Sequence, residues 1–167
     1  DNTIVVFVSD HGFHLAEKDH WQKGTLWEEA TNSMLMVRVP GVTKPGGVTT
    51  RCVSLQDLYP TLVDLCDLPR PAHVDGKSLA PLLNNPEADW ESTAHSFLYD
   101  QYASIRTEQF RYIRYKDGQQ ELYDHTKDPH EWRNEAGNPE YAETVKELNG
   151  RLPAAEDMAK QLVRTRR

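Results

Sequence analysis

The chain opens on a short run, residues 3–8, in which nearly every position is apolar and most are β-branched or aromatic. Because apolar and polar positions do not alternate, the run predicts a strand buried on both faces, as in a parallel sheet. Residues 35–39, which are followed by Pro40 and Gly41, form the next predicted strand, and residues 49–53 form a weaker third. A strand buried on both faces needs partner strands and covering helices, and this chain supplies few of them.

Apolar residues on one face predict a helix at residues 57–66, with Asp57 as its N-cap and Pro60 in its first turn. A shorter helical turn is predicted at residues 78–83. A third helix begins at Asn138 and Pro139. Its apolar stripe consists of residues spaced at i, i+4, i+7 and i+11, namely Tyr141, Val145, Leu148 and Leu152.

After about residue 89, short segments typical of antiparallel strands replace this pattern. The predicted strands are residues 96–102, 104–107, 110–115 and 121–123. Asp117 and Gly118 stand between the last two and are a strong hairpin signal. Arg111, Arg114 and Lys116 are expected on the face of this sheet that contacts water.

These elements predict the α/β fold class and three parts of the chain. Residues 1–88 are expected to belong to an α/β layer, residues 89–153 to form a small antiparallel sheet with one packed helix, and residues 154–167 to form a flexible tail.

Composition and charge exclude several classes of protein. The chain of 167 residues carries 26 acidic against 19 basic side chains, and this net charge of −7 argues against nucleic acid as a partner. No apolar run approaches the ~20 residues of a membrane span, and no intact secretory signal is visible. The two cysteines, Cys52 and Cys66, are too few for a disulfide framework.

The densest polar cluster follows the first predicted strand, at the edge of the sheet where α/β proteins bind ligands. Asp10 and His11 are adjacent there, and a carboxylate with an imidazole can bind Mg²⁺, Ca²⁺ or Zn²⁺. The alternative is that Asp10 caps the next turn beside a hydrogen-bonded histidine. Lys23 is a candidate anion ligand or a solvated lysine, and His14 and His20 are candidate ligand contacts, supporting donors or ordinary loop histidines. The chain has neither a G-x-S-x-G nucleophile elbow nor a phosphate-binding glycine loop.

Ten short fragments follow one another in a recognisable order and spacing. They are residues 9–12, 15–17, 21–25, 28–29, 39–41, 55–62, 75–79, 111–113, 121–124 and 128–131. Together they resemble the C-terminal portion of the type I, formylglycine-dependent sulfatases of the alkaline phosphatase superfamily. The similarity covers about residues 3–153 and is greatest to the iduronate-2-sulfatase-like branch. The resemblance implies the C-terminal part of an alkaline-phosphatase-like α/β sheet, followed by the small antiparallel sheet with one packed helix.

The resemblance also implies roles for individual residues. Asp10 and His11 match two ligands of a divalent cation, which is usually calcium in this family. Lys23 matches the lysine that contacts the sulfate group, and His20 is expected to line the same substrate-binding pocket. The sequence departs from the family pattern at Ala16, where glycine is common, and at residues 32–34.

The family nucleophile is missing from this chain. It is a formylglycine made from the first residue of a C-x-P-S-R or S-x-P-S-R segment, and neither Cys52 nor Cys66 lies in one. An upstream Asp-Asp pair that completes the metal site is also absent. We therefore expect the C-terminal portion of a sulfatase that is inactive alone and needs the N-terminal part of the same protein as its partner.

The expected substrate is a sulfate ester, which includes sulfated carbohydrates, and the family suggests an exported protein. One alternative is a portion of a phosphonate monoester hydrolase or phosphodiesterase of the same superfamily, which has a different nucleophile. Another is a non-catalytic binding module with a sulfatase-like shape.

Overall fold

The computed structural model describes residues 2–99 and 102–154. Within them, the strands are β1 (Val5–Val8), β2 (Leu35–Arg38), β3 (Ala94–Leu98), β4 (Tyr102–Arg106), β5 (Phe110–Arg114) and β6 (Gln120–Asp124). The α-helices are α1 (Glu28–Thr31), α2 (Leu58–Leu65), α3 (Ala80–Asn84) and α4 (Ala142–Arg151). The chain divides into two compact units. Of the described residues, the first unit contains 2–10 and 33–93, and the second contains 11–32, 94–99 and 102–154.

In the first unit, β1 pairs with β2, and the pair is antiparallel, with Val5 opposite Arg38 and Val8 opposite Leu35. The expectation of a strand buried on both faces in a parallel sheet is wrong for this chain. Phe7 is 58% exposed and Met36 is 55% exposed, because the described residues place one neighbouring strand beside β1 and nothing over these side chains.

The predicted helix at residues 57–66 is confirmed as a 3₁₀ turn, Leu55–Asp57, followed by α2. Asp57 is at the N-cap position of α2, as predicted, but its side chain makes no capping hydrogen bond to that helix. Ser54 is the N-cap of the 3₁₀ turn, and its hydroxyl accepts a hydrogen bond from the Gln56 amide. The carboxylate of Asp57 instead accepts from the Ser54 amide, at 2.8 Å, and from the Lys77 amide, also at 2.8 Å. It thereby ties the start of α2 to the segment that precedes α3.

A small core in the first unit is built on α3 and Trp90. Leu79, Leu82 and Trp90 are buried together, and Val53 packs against them. The indole of Trp90 donates to the Cys52 carbonyl at 2.9 Å. Residues 49–53 form no strand, so the third predicted strand is wrong, since this segment is fixed by side-chain packing rather than by strand pairing.

The second unit is built on a four-stranded antiparallel sheet in the order β3-β4-β5-β6. The hairpin predicted at Asp117 and Gly118 is confirmed, and Gly118 has a φ of 84°, which glycine adopts without strain. The first predicted strand of this region, residues 96–102, is two strands, because the chain turns at Tyr99, which has a φ of 53°.

Helix α4 covers one face of this sheet, and the amphipathic pattern that predicted it is confirmed. Asn138 caps the 3₁₀ turn Pro139–Tyr141, which leads into α4, by accepting from the Glu140 amide. The apolar stripe of α4 packs against side chains of β4, β5 and β6. The buried members of this core are Ala103, Ile105, Tyr112, Leu122, Leu148 and Leu152.

The opposite face of the sheet is covered by the segment 11–32 rather than by water. Leu26 of that segment is buried against Ile113 and Tyr123. The prediction that Arg111 and Arg114 lie on a solvated face is therefore wrong. Arg111 is 2% exposed on the face toward Leu26, and Arg114 lies on the other face, where it donates to Asn149 of α4 at 3.0 Å.

Other sequence expectations concern the cysteines, membrane helices and the C-terminal tail. Cys52 and Cys66 are not joined in a disulfide, which agrees with a chain that has too few cysteines for a disulfide framework. Among the described residues, none of the helices has the length and apolar character that crossing a membrane requires. The predicted flexible tail lies, from residue 155 onward, outside the described residues. The predicted division at residue 88 stays a prediction, and the structure groups residues 11–32 with the antiparallel sheet.

Candidate functional site

Residues 11–25, here called the site loop, contain most of the candidate ligands. The loop folds back on itself like a hairpin, because the amide of His14 donates to the Gln22 carbonyl and the amide of Ala16 donates to the His20 carbonyl, both at 3.0 Å. A 3₁₀ turn, Glu17–Asp19, forms its tip. The returning arm places Lys23 directly after the paired segment.

The tip of the site loop is fixed to the sheet by Lys18. Its ammonium donates to the Tyr123 hydroxyl at 3.2 Å and lies 4.7 Å from the ring centroids of both Tyr123 and Trp27. Burial lowers the pKa of Lys18 below its ordinary value. Trp27 and Tyr123 both donate to the Glu121 carboxylate at 2.7 Å, so the aromatic walls around Lys18 are themselves held in place.

Three residues at the tip have left-handed backbone angles that glycine tolerates best. Ala16 has a φ of 100°, Lys18 has a φ of 53° and Asp19 has a φ of 58°. Such angles cost a residue with a Cβ about 1–3 kcal/mol each unless the surroundings fix them. The departure from the family pattern at Ala16 thus falls at a strained position.

Replacing Ala16 by glycine is expected to stabilise the protein by ~1 kcal/mol, because the relief of strain exceeds the added flexibility of the unfolded chain. Ala142, which begins α4 with a φ of −55°, is the matched control, and Ala142→Gly is expected to destabilise by about 0.5–1 kcal/mol. Urea unfolding monitored by circular dichroism measures both. A decrease in the free energy of unfolding caused by Ala16→Gly would show that the backbone at Ala16 is not strained.

The site loop brings two of the predicted site residues together. The Nζ of Lys23 lies 2.9 Å from Nε2 of His11. The other ring nitrogen of His11, Nδ1, lies 2.6 Å from the carbonyl oxygen of Gly12. Because a carbonyl only accepts, Nδ1 carries the proton and Nε2 presents its lone pair to Lys23.

Gly12 fixes the position of His11 by a close backbone contact. Its amide donates to the Ala30 carbonyl at 2.9 Å, and a Cβ at this position would clash with the Glu29 carbonyl oxygen. Asp10, at the end of β1, has an exposed side chain and belongs to the first unit. His20 is half-buried, and its ring packs 5.1 Å from the ring of Trp27.

A buried ionic cluster holds the helix that follows the site loop, and no sequence pattern indicated it. Glu131, which is 1% exposed, accepts from the Glu28 amide at the start of α1 at 2.8 Å. Arg111 donates to Glu131 at 2.6 Å and also to Glu28. Burial acts to raise the pKa of Glu28, but the charges of Arg111 and Arg106 outweigh it and hold that pKa below its ordinary value.

The same cluster contains a possible cation-binding group, since ligand atoms of Glu28, His125 and Glu131 lie within 4.8 Å of one another. However, the two carboxylates are already paired with arginines. Arg106 contacts Glu28 at 3.2 Å and His125 Nδ1 at 3.0 Å, so His125 donates its Nε2 proton to Glu131 at 2.8 Å. The cluster is thus a balanced ion-pair network that anchors α1 to the sheet.

The fold of this chain is that of the corresponding part of proteins with the alkaline-phosphatase-like fold. One solved structure, described as a complex with its substrate D-glucosamine-2-N,6-O-disulfate, matches 96% of this chain and 35% of its own, with a TM-score of 0.82 and 32% identity. The phosphonate monoester hydrolase of Silicibacter pomeroyi matches 98% of this chain and 34% of its own, with a TM-score of 0.74 and 28% identity.

The sequence then identifies the family. Residues 16–158 match the family described as N-sulphoglucosamine sulphohydrolase, C-terminal, and the chain belongs to this family of sulfatases. A sulfatase of Formosa agariphila is 36% identical over 152 residues, which are 91% of this chain and 30% of that protein. The chain thus corresponds to about a third of the length of the relatives it matches, and to their C-terminal region. The iduronate-2-sulfatase-like branch stays a prediction.

Proposed function

We propose that this chain supplies part of the metal-binding and sulfate-binding site of a sulfatase that hydrolyses sulfate esters. The observation that carries the proposal is the contact between Lys23 and His11, at 2.9 Å, which joins the expected sulfate ligand to an expected metal ligand. A cation on His11 Nε2 would displace the Lys23 ammonium from that nitrogen and leave it close by, and an ammonium beside a cation is an arrangement that neutralises the charge of an anionic ester. The activity is proposed for the full-length protein, because this chain corresponds to about a third of the length of the relatives it matches.

Asp10 and His11 are the residues that would hold the divalent cation, and we propose calcium. The proton of His11 is on Nδ1, facing the Gly12 carbonyl, so Nε2 has the lone pair that a metal ligand needs. Asp10 adds the carboxylate oxygen that calcium prefers. A bound cation supplies Lewis-acid stabilisation of the charged ester oxygens, and further ligands are expected from the rest of the protein.

Lys23 and His20 are proposed to bind the substrate. Lys23 is exposed and would donate to a sulfate oxygen, and His20 would contact the ester from the paired part of the site loop. Sulfated carbohydrates are the proposed substrate class, supported by the sulfated glucosamine bound in one structural relative. The formylglycine nucleophile is proposed to lie in the remainder of the protein, which we also propose is exported.

The apolar surface of the first unit supports docking against that remainder. Phe7 and Val8 of β1 are 58% and 41% exposed, and Met34 beside β2 is 55% exposed. A two-stranded sheet is marginally stable by itself, and exposed apolar side chains in a contiguous patch usually mark an interface.

The test is hydrolysis by the full-length protein, with 4-nitrophenyl sulfate and a phenylphosphonate ester as paired substrates. We expect the sulfate to be preferred and EDTA to abolish activity that Ca²⁺ restores. Asp10→Asn is expected to raise the Ca²⁺ concentration for half-maximal activity at least tenfold, and Asp64→Asn on the exposed face of α2 to leave it unchanged. Preference for the phosphonate would instead support the phosphonate monoester hydrolase that is among the structural relatives.

A further inference from the structure

His14 lies in the first arm of the site loop, opposite Gln22, and is completely buried, although it is a polar residue in a connecting segment. Its amide donates to the Gln22 carbonyl at 3.0 Å, and its Nε2 lies 2.7 Å from the hydroxyl of Thr25. The amide of Thr25 donates in turn to the Lys23 carbonyl at 2.9 Å. His14 therefore contacts the chain on both sides of Lys23.

This arrangement matters for Lys23 because a lysine side chain is long and flexible. Its ammonium has no fixed position unless the backbone that carries it is held. Lys23 itself is exposed, and the two neighbours His14 contacts, Gln22 and Thr25, determine where its Cα lies. An error of about 1 Å in the placement of such a group can lower a rate a hundredfold.

We propose that His14 is a positioning residue that holds the segment from Gln22 to Thr25 so that the Lys23 ammonium meets the sulfate group. The proposal rests on the function proposed above for Lys23. His14 touches neither the substrate nor the cation, and it acts through the backbone on either side of Lys23.

The surroundings of His14 keep it uncharged. Burial, assisted by the neighbouring His20, lowers the pKa of His14 below its ordinary value. Its Nε2 shares a hydrogen bond with the Thr25 hydroxyl, a group that can donate or accept. A neutral imidazole fixes the loop without adding positive charge near Lys23.

The ring of His14 also packs against two other aromatic rings, one inside the site loop and one just after it. Its centroid lies 5.9 Å from the rings of both His20 and Trp27. Phenylalanine at this position keeps the packing and removes the bond to Thr25. Glutamine places an amide nitrogen about as far along the side chain as Nε2, so it can keep that bond.

The experiment compares His14→Phe and His14→Gln in the full-length protein, alone and combined with Lys23→Met, using 4-nitrophenyl sulfate. We expect His14→Phe to lower kcat about tenfold with a smaller change in KM, and His14→Gln to recover most of it. In the Lys23→Met background, His14→Phe is expected to lower kcat/KM less than twofold further, since its effect passes through Lys23. His73→Phe, at an exposed histidine, is the control that leaves kcat unchanged.

A second measurement does not depend on activity. Trypsin cleaves after Lys23, and His14→Phe is expected to accelerate this cleavage at least fivefold relative to cleavage after Arg133, while His14→Gln does not. Equal losses of kcat/KM from His14→Phe with and without Lys23→Met, or unchanged cleavage after Lys23, would overturn the proposal. If Lys23→Met kept full activity while trypsin cleaved His14→Phe faster after Lys23, the function proposed for Lys23 would be overturned instead.

Discussion

Replacing Lys23 by methionine is expected to lower kcat/KM of the full-length protein for 4-nitrophenyl sulfate by about a hundredfold or more. Methionine has nearly the length of lysine but no charge. The substitution therefore removes the ammonium that lies 2.9 Å from His11 and that we propose stabilises the sulfate oxygens. The loss of one such preorganised donor typically costs about 10²–10³ in rate.

Two further variants distinguish the loss of the Lys23 charge from a general loss of structure. Lys116 is exposed on the hairpin between β5 and β6, and Lys116→Met is expected to leave kcat/KM within twofold of the unaltered protein. Lys23→Arg retains the charge but replaces a compact ammonium with a planar guanidinium, so a partial recovery is expected. A Lys23→Met variant with more than a third of normal kcat/KM would show that this ammonium does not stabilise the reacting ester.

The parts of the fold that the sequence predicted correctly depend on neighbouring residues. The hairpin at Gly118 and the helix α4 are specified by turn chemistry and by apolar spacing within about 15 residues. The burial of Arg111 could not be predicted in this way. Its partners Glu28 and Glu131 lie 83 and 20 residues away along the chain. A local alternation of charge therefore suggested a solvated face where the fold buries an ion pair.

The same distinction between local and long-range features applies to the candidate site. Lys23 and His11 were predicted as site residues because the local motif carries them. The structure brings their side chains within hydrogen-bonding distance, and their roles stay a prediction. The role of His14 stayed open in the sequence, since a loop histidine is usually solvated. Its burial follows from the hairpin-like return of the site loop and from the aromatic rings of His20 and Trp27. Neither of these features leaves a periodic signal.

Replacing Arg111 by methionine is expected to lower the free energy of unfolding by about 3–5 kcal/mol, the largest stability effect we expect from a single substitution. Methionine fills similar volume but leaves the Glu28 and Glu131 carboxylates buried without their main cation. Arg133→Met, at an exposed arginine, is the control and is expected to change the stability by less than ~0.5 kcal/mol. Urea unfolding at pH 7 measures both variants.

A second substitution and a change of pH test the cause of this loss. In Arg111→Met, Arg106 is the arginine left to balance both carboxylates, so adding Glu28→Gln removes one excess negative charge and is expected to restore at least ~1 kcal/mol. The pKa of Glu28 is depressed in the folded protein, so its pairing stabilises the fold above the unfolded-state pKa, and this stabilisation is lost as pH falls through the folded-state value. In Arg111→Met the Glu28 carboxylate has lost its largest counter-charge, so it gains a proton at a higher pH than in the unaltered protein, and this lowers the cost of burying it. The stability difference from the unaltered protein should therefore narrow from pH 7 to pH 4, and a constant difference would indicate lost packing rather than unpaired charge.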